Sequence, residues 1–210
     1  MIYICIEGNI GAGKTTLVKA IEHRHPVQAI YEQFKENPFL ELFYENPEKH
    51  SFPLEMSFLA ERFQQLNSIF TATNSKNHTY VSDYSFLKCL IFASQTLQEQ
   101  DLYLFERFFK ILSSQLPQPD YIFFLQDEAN QLQKNISKRD RIFERNIKNE
   151  YLKSIELSYN RHLIESEKTK IIQIPAYFRH HKKIDALADA VFHCDIELIT
   201  QIIALNENSS

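Results

Sequence analysis

Gly8-Asn9-Ile10-Gly11-Ala12-Gly13-Lys14-Thr15 fills the pattern G-x-x-x-x-G-K-[ST], whose residue types suit the binding of phosphate groups. Glycines let backbone N–H groups turn inward around phosphate oxygens, where a side chain would block the approach. Lys14 can reach outer phosphates and the Thr15 hydroxyl can ligate Mg²⁺. Thr16 opens a helix whose N-terminus attracts anions. The chain has three glycines and all lie in this loop, so an ordinary glycine turn is a poor explanation. Glu32 and Asp83 each follow a short apolar run, which puts a carboxylate where a general base or a Mg²⁺ ligand could stand. Arg139 and Arg141 lie in the charged stretch 138–145, and arginines there could neutralise charge developing on a transferred phosphoryl group. Glu55 and Arg62 are seven apart, two helical turns along one face; by default such a pair is solvated.

These groups need a scaffold, and the hydrophobic pattern supplies one. Five short apolar runs read as strands: Ile2–Ile6, Val27–Tyr31, Thr79–Ser82, Tyr121–Leu125 and Lys170–Ile174. Helical patterns alternate with them. Asn37-Pro38 caps one that Pro47 ends. Others cover Phe52–Phe70, Phe86–Gln98, Leu102–Leu116, Glu128–Ile136, Tyr151–Ile164 and Ile184–Leu205, the last with a break at His193-Cys194-Asp195. Alternation of this kind predicts an α/β fold with a five-stranded parallel sheet flanked by helices, and ligands beyond the carboxyl ends of the strands. Residues 1–205 are expected to form one domain, Asn74–His78 a polar loop, and Asn206–Ser210 a frayed tail.

Composition narrows the class. Seventeen Phe and ten Tyr in 210 residues suffice for a large core. A net charge of -4 argues against a nucleic-acid-binding surface, and no apolar run is long enough to span a bilayer. The strand begins at the N-terminus, with no signal peptide expected. Cys5, Cys89 and Cys194 are odd in number and far apart, which predicts reduced thiols and a cytoplasmic location.

A phosphate loop does not choose among a GTPase, a motor and a kinase. The chain has no N-K-x-D stretch to read guanine as a GTPase would, and it is small for a motor. It resembles the deoxynucleoside kinases, in particular the bacterial deoxyguanosine and deoxyadenosine kinases. The stretches that carry the resemblance are IEGNIGAGKTTL, YEQFKENPFLELFYENPEKHSFPLEMSFLAERFQQL, VSDYSFLKCLIFASQTL and ISKRDRIFERNIKNEYL, in the family's order and along nearly the whole chain.

The resemblance implies a P-loop kinase fold with a short Arg-rich lid at about 137–146, ATP with Mg²⁺ as phosphate donor, and a homodimer joined through helices. It implies that Glu32 is the base on the nucleoside 5′-hydroxyl, that Tyr44 and the lid's Glu144 hold the sugar 3′-hydroxyl, and that Phe92 packs on the base. Lys14 and the loop Gly8–Thr16 would cradle the donor phosphates, Thr15 and Asp83 would position Mg²⁺, and Arg139 and Arg141 would be the lid arginines. Three departures stand out: Glu32-Gln33-Phe34 replaces the common Glu-Pro-Val, Asp140 replaces the lid glycine, and Tyr84 replaces the Arg of the D/E-R-S motif, so another cation must do that work or it is dispensable.

The base-reading position is Glu55, where many family members have Gln. An ionised carboxylate only accepts hydrogen bonds, and guanine alone presents two adjacent donors, N1–H and the 2-amino group. Arg62 only donates, matching guanine O6 and N7. Deoxyguanosine is therefore the expected acceptor. The alternatives are a deoxyadenosine or broad-specificity kinase, more distantly a thymidylate kinase, and, outside enzymes, a nucleotide-binding regulator.

Overall fold

The apolar N-terminal run becomes β1 (Ile2–Gly8), the middle strand of a five-stranded sheet in the order β2-β3-β1-β4-β5. Its partners are β2 (Gln28–Ile30), β3 (Thr79–Ser82), β4 (Tyr121–Gln126) and β5 (Lys170–Pro175). The computed structural model describes residues 1–33, 37–72, 78–141, 144–145, 147–164, 169–175 and 184–207. All pairings are parallel, so helical crossovers join the strands and cover both faces.

Side-chain alternation along β1 builds two core layers. Ile4 and Ile6 enter one, Tyr3 and Cys5 the other. The first layer is closed by α1 (Lys14–Arg24), α6 (Ala129–Arg139), α8 (Ile184–Phe192) and α9 (Ile196–Glu207) through Leu17, Leu132, Leu187 and Ile199. The second is closed by α3 (Pro47–Ala72), α4 (Leu87–Thr96) and α5 (Glu99–Ser113) through Leu59, Ile91 and Phe105. α7 (Asn149–Ile164) contributes Leu152 to one and Ile155 to the other. α2 (Leu40–Glu45) leans on α3 in a small satellite of Phe43, Leu54 and Phe58.

Pro47 plays a different part from the one its sequence context suggested. α2 already closes at Glu45, and Pro47 is the first residue of α3. The Asn46 side chain accepts the Lys49 N–H at 3.2 Å, so Asn46 ends one helix and caps the next. A proline suits that first position because its missing N–H would have no helical partner there. The expected break near Cys194 is present: Cys194 takes φ 52° and Asp195 caps α9 by accepting the Leu198 N–H at 2.9 Å. α9 continues through Asn206 and Glu207, two residues of the stretch expected to fray, while 208–210 lie outside the described residues. Also outside them are 34–36, 73–77 with most of the expected polar loop, positions 142, 143 and 146 of the expected lid, 165–168, and 176–183. Among the described residues no helix is long and apolar enough to cross a membrane.

Candidate active site

The phosphate loop leaves the carboxyl end of β1. Gly8, Gly11 and Gly13 all have positive φ. A Cβ on Gly8 would stand 2.6 Å from the Leu125 carbonyl oxygen, and one on Gly11 2.9 Å from that of Leu132. β4 and α6 thus press on the loop from behind and leave no room for larger residues. Asn135 Nδ2 donates to Gly11 O at 3.0 Å and Asn9 Nδ2 to Leu152 O at 2.7 Å, tying the loop to α6 and α7. Gly13 precedes α1, whose first turn carries no acidic residue, so the positive end of its dipole meets no carboxylate of its own. Lys14 Nζ donates to the Gly8 and Asn9 carbonyls at 2.7 and 2.9 Å, and burial together with Lys88 pushes its pKa down to about 8.

β2 and β3 deliver the two acids to the same edge. Thr15 Oγ1 donates to Asp83 Oδ2 at 2.5 Å, and Asp83 Oδ1 accepts the Glu32 N–H at 2.7 Å. The Glu32 carboxylate is bracketed by cations: Arg62 Nη2 donates to one oxygen at 2.5 Å and Lys88 Nζ to the other at 2.6 Å. Burial by itself would raise the pKa of Glu32. Lys88 and Arg62, with help from Lys14, reverse this and hold the carboxyl well below the usual range. Tyr84 takes no part in that cluster's hydrogen bonds; its hydroxyl donates to Gln65 Oε1 at 2.6 Å in the core. Behind Asp83, the buried Glu7 accepts the Ser85 N–H and hydroxyl at 2.6 and 2.7 Å and the Tyr159 hydroxyl at 2.8 Å, which locks the ends of β1 and β3 together.

Glu55 and Arg62 are both buried on α3, at 3% and 4% exposure, so the solvated-pair reading of their spacing does not hold. They are not bonded to each other in the described contacts. Arg62 lies 4.5 Å over the Phe58 ring and donates to Cys89 Sγ at 3.3 Å besides gripping Glu32. Glu55 accepts the Thr96 hydroxyl at 2.9 Å. Burial pushes Glu55 up to about 7, because Thr96, Arg62 and Lys88 only partly offset the loss of water. The two arginines expected in a lid meet Glu144: Arg139 binds it through two nitrogens at 2.6 and 2.5 Å, and Arg141 at 3.3 Å. Asp140 between them has φ 49°, a left-handed conformation that glycine adopts freely and that Asp is among the few side chains to tolerate.

One cavity of about 610 Å³ joins these groups. Its wall includes the loop from Ile10 to Thr16, Glu32, Tyr44, Glu55, Arg62, Asp83, Phe92, Arg139, Arg141 and Glu144. Gly8 and Asn9 stand outside that wall and present their carbonyls to Lys14. A deep site with ionised Glu32 beside a phosphate loop can take a proton from a hydroxyl and hold anions opposite it. Sequence reasoning missed Lys88, Thr96 and Glu7. The one available signal was Lys88 itself, a lone charge in the apolar run FLKCLIF, since a buried lysine needs a partner.

Known proteins resemble this chain in sequence and in fold. The deoxynucleoside kinase family description matches residues 4–192. A deoxyguanosine kinase of Bacillus subtilis is 36% identical over 157 residues, 75% of this chain and 76% of that protein. A deoxyadenosine kinase of Dictyostelium discoideum is 31% identical over 163 residues, 77% of this chain and 66% of that protein. The structure of a deoxyadenosine kinase from M. mycoides, solved with the products dCMP and a flexible dCDP, superposes with a TM-score of 0.78 over 92% of this chain and 100% of that one, at 20% identity, a likeness of fold. The chain therefore belongs to the deoxynucleoside kinase family and is a phosphotransferase.

Proposed function

We propose that this kinase transfers the γ-phosphoryl group of ATP to the 5′-hydroxyl of a purine deoxynucleoside, with deoxyguanosine preferred, yielding the monophosphate for nucleotide salvage. One observation carries the preference: Glu55, an acceptor-only group when ionised, is buried in the same cavity as Glu32 and the phosphate loop. In this reading Glu32 takes the 5′-hydroxyl proton, the oxygen bonds to the γ-phosphorus, and the bond to the bridging oxygen breaks as ADP leaves. Lys14 and the loop amides hold the donor phosphates. Arg139 and Arg141 meet the charge that spreads onto the transferred group, Tyr44 and Glu144 take the sugar 3′-hydroxyl, and Phe92 packs on the base.

Mg²⁺ would sit between Thr15 and Asp83. Among the described residues no cluster of three or more His, Cys, Asp or Glu could cage a metal, and a touching hydroxyl and carboxylate suit an ion that fills its remaining positions with water and phosphate. When bound it would neutralise the β- and γ-phosphate charge. The apolar side chains of Tyr103, Phe108 and Ile111 on α5 and Leu157 on α7 are exposed, which supports the homodimer. The free thiols Cys5, Cys89 and Cys194 agree with a cytoplasmic location.

A second reading, a kinase that also accepts deoxyadenosine well, is favoured by the pKa of about 7 at Glu55. Protonated, Glu55 offers a donor beside an acceptor, the pattern that adenine needs. The kcat/KM ratio of deoxyguanosine to deoxyadenosine at neutral pH separates the two. A ratio of about ten or more supports the first, and a ratio near one supports the second.

A further inference from the structure

Lys88 is buried within an otherwise apolar stretch of α4 and directs its ammonium group 2.6 Å onto Glu32, whose other oxygen is already held by Arg62. Each oxygen of Glu32 thus has a cation of its own, and the same two cations also act on the buried Glu55 in the cavity wall. The two cations are also unequally held. Arg62 is fixed over Phe58 and against Cys89. Lys88 is a point charge on a flexible stem, with Phe92 5.3 Å below it. Lys14 and Lys88 both line the cavity that holds Glu32 and the phosphate loop.

We propose that Lys88 is a positioning residue for the general base: it holds the Glu32 carboxylate aimed at the acceptor hydroxyl, and its charge is released toward the transferred phosphoryl group when Glu32 takes the proton. The step balances without a further reactant. The 5′-hydroxyl proton moves to Glu32, a bond forms from that oxygen to the γ-phosphorus, and the bridging oxygen departs with its electron pair on ADP. Neutralisation of Glu32 breaks its ion pair with Lys88 at the moment negative charge gathers on the phosphoryl oxygens. The proposal rests on Glu32 acting as the base.

The test compares wild type, Lys88→Met, Lys88→Arg and Glu32→Gln in kcat and in KM for deoxyguanosine. Lys88→Met should lose about a hundredfold or more in kcat while KM stays within about threefold. Lys88→Arg should recover most of the lost kcat. A Lys88→Met enzyme with near-normal kcat, or one whose loss lies in KM instead, overturns the proposal; so does a loss confined to the deoxyguanosine-over-deoxyadenosine ratio, which would make Lys88 a base contact. Should Lys88→Met not fold, Lys88→Gln removes the charge, keeps a hydrogen-bond donor and carries the same comparison. Glu32→Gln separates the two levels: full turnover there removes the base reading itself, whereas an inactive Glu32→Gln beside an active Lys88→Met removes only the role of Lys88.

Discussion

Glu32 and Glu55 line the same cavity, both with little access to solvent, yet their surroundings drive them in opposite directions. Glu32 lies between Lys88 and Arg62 and is held ionised far into acid. Glu55 accepts the Thr96 hydroxyl, and burial, which Arg62 and Lys88 offset only in part, pushes it up to about 7. Burial acts on both alike; the difference lies in who stands beside them. A carboxylate between two cations stays ionised and fixed in place, at the cost of some basicity. A carboxylate whose pKa lies near neutrality can change its hydrogen-bonding pattern with its proton. Under the proposed function the contrast suits Glu32 to proton transfer and Glu55 to base recognition.

The largest way to break this comparison is Glu32→Gln. Turnover should fall by about 10²–10⁴ while nucleoside binding, followed by calorimetry, persists. Turnover close to wild type would leave Glu32 as a structural partner of Lys88 and Arg62.

Glu55→Gln comes next. Gln supplies a donor as well as an acceptor at every pH, so the deoxyguanosine preference at alkaline pH should drop by roughly tenfold to a hundredfold in kcat/KM. In the wild type the same preference should climb as pH rises through about 7, where Glu55 ionises, and this climb should vanish in Glu55→Gln. An unchanged ratio in the variant would mean that Glu55 does not touch the base.

Glu55 also marks the stability of the ligand-free protein. Its folded pKa lies above the unfolded value, so the folded state holds the proton more tightly. That contribution is complete below about 4.5 and is lost as pH rises through about 7. It amounts to at most about 3 kcal/mol. Thermal unfolding from pH 5 to 8 should therefore show a decline in the wild type that Glu55→Gln lacks. Glu32, shifted the other way, contributes stability that disappears only as pH falls below the ordinary carboxylate range.

The smallest effect is expected at Tyr84. Its hydroxyl bonds Gln65 rather than Glu32, so Tyr84→Phe should cost about 1 kcal/mol of stability, read by denaturant unfolding, and leave kcat within about twofold. A collapse of kcat would place Tyr84 in the chemistry after all.

Legibility in the sequence followed the range of the interactions. The phosphate loop is a contiguous string whose function lies in its own backbone, and every one of its residues could be named in advance. Strand ends came within about two residues because five apolar runs, each bounded by polar or turn residues, are a local signal. Asn46 shows where local reading slips: Asn-Pro there both ends α2 and starts α3, and only the cap geometry reveals the second role. Glu55 and Arg62 were visible as a pair on one helical face, but the face alone could not say whether it met water or a cavity.

What the sequence determined by itself is therefore the phosphate-binding loop, the parallel α/β order and the set of acids at strand ends, all consequences of short-range pattern. The tertiary structure alone decided which cation meets which acid. Lys88 reaches Glu32 across 56 residues and Arg62 across 30, and each contact exists only because α3 and α4 pack over the carboxyl edge of the sheet. Charge pairing is blind to sequence distance, and burial sets its strength, so the opposite shifts of Glu32 and Glu55 arise only in the folded chain.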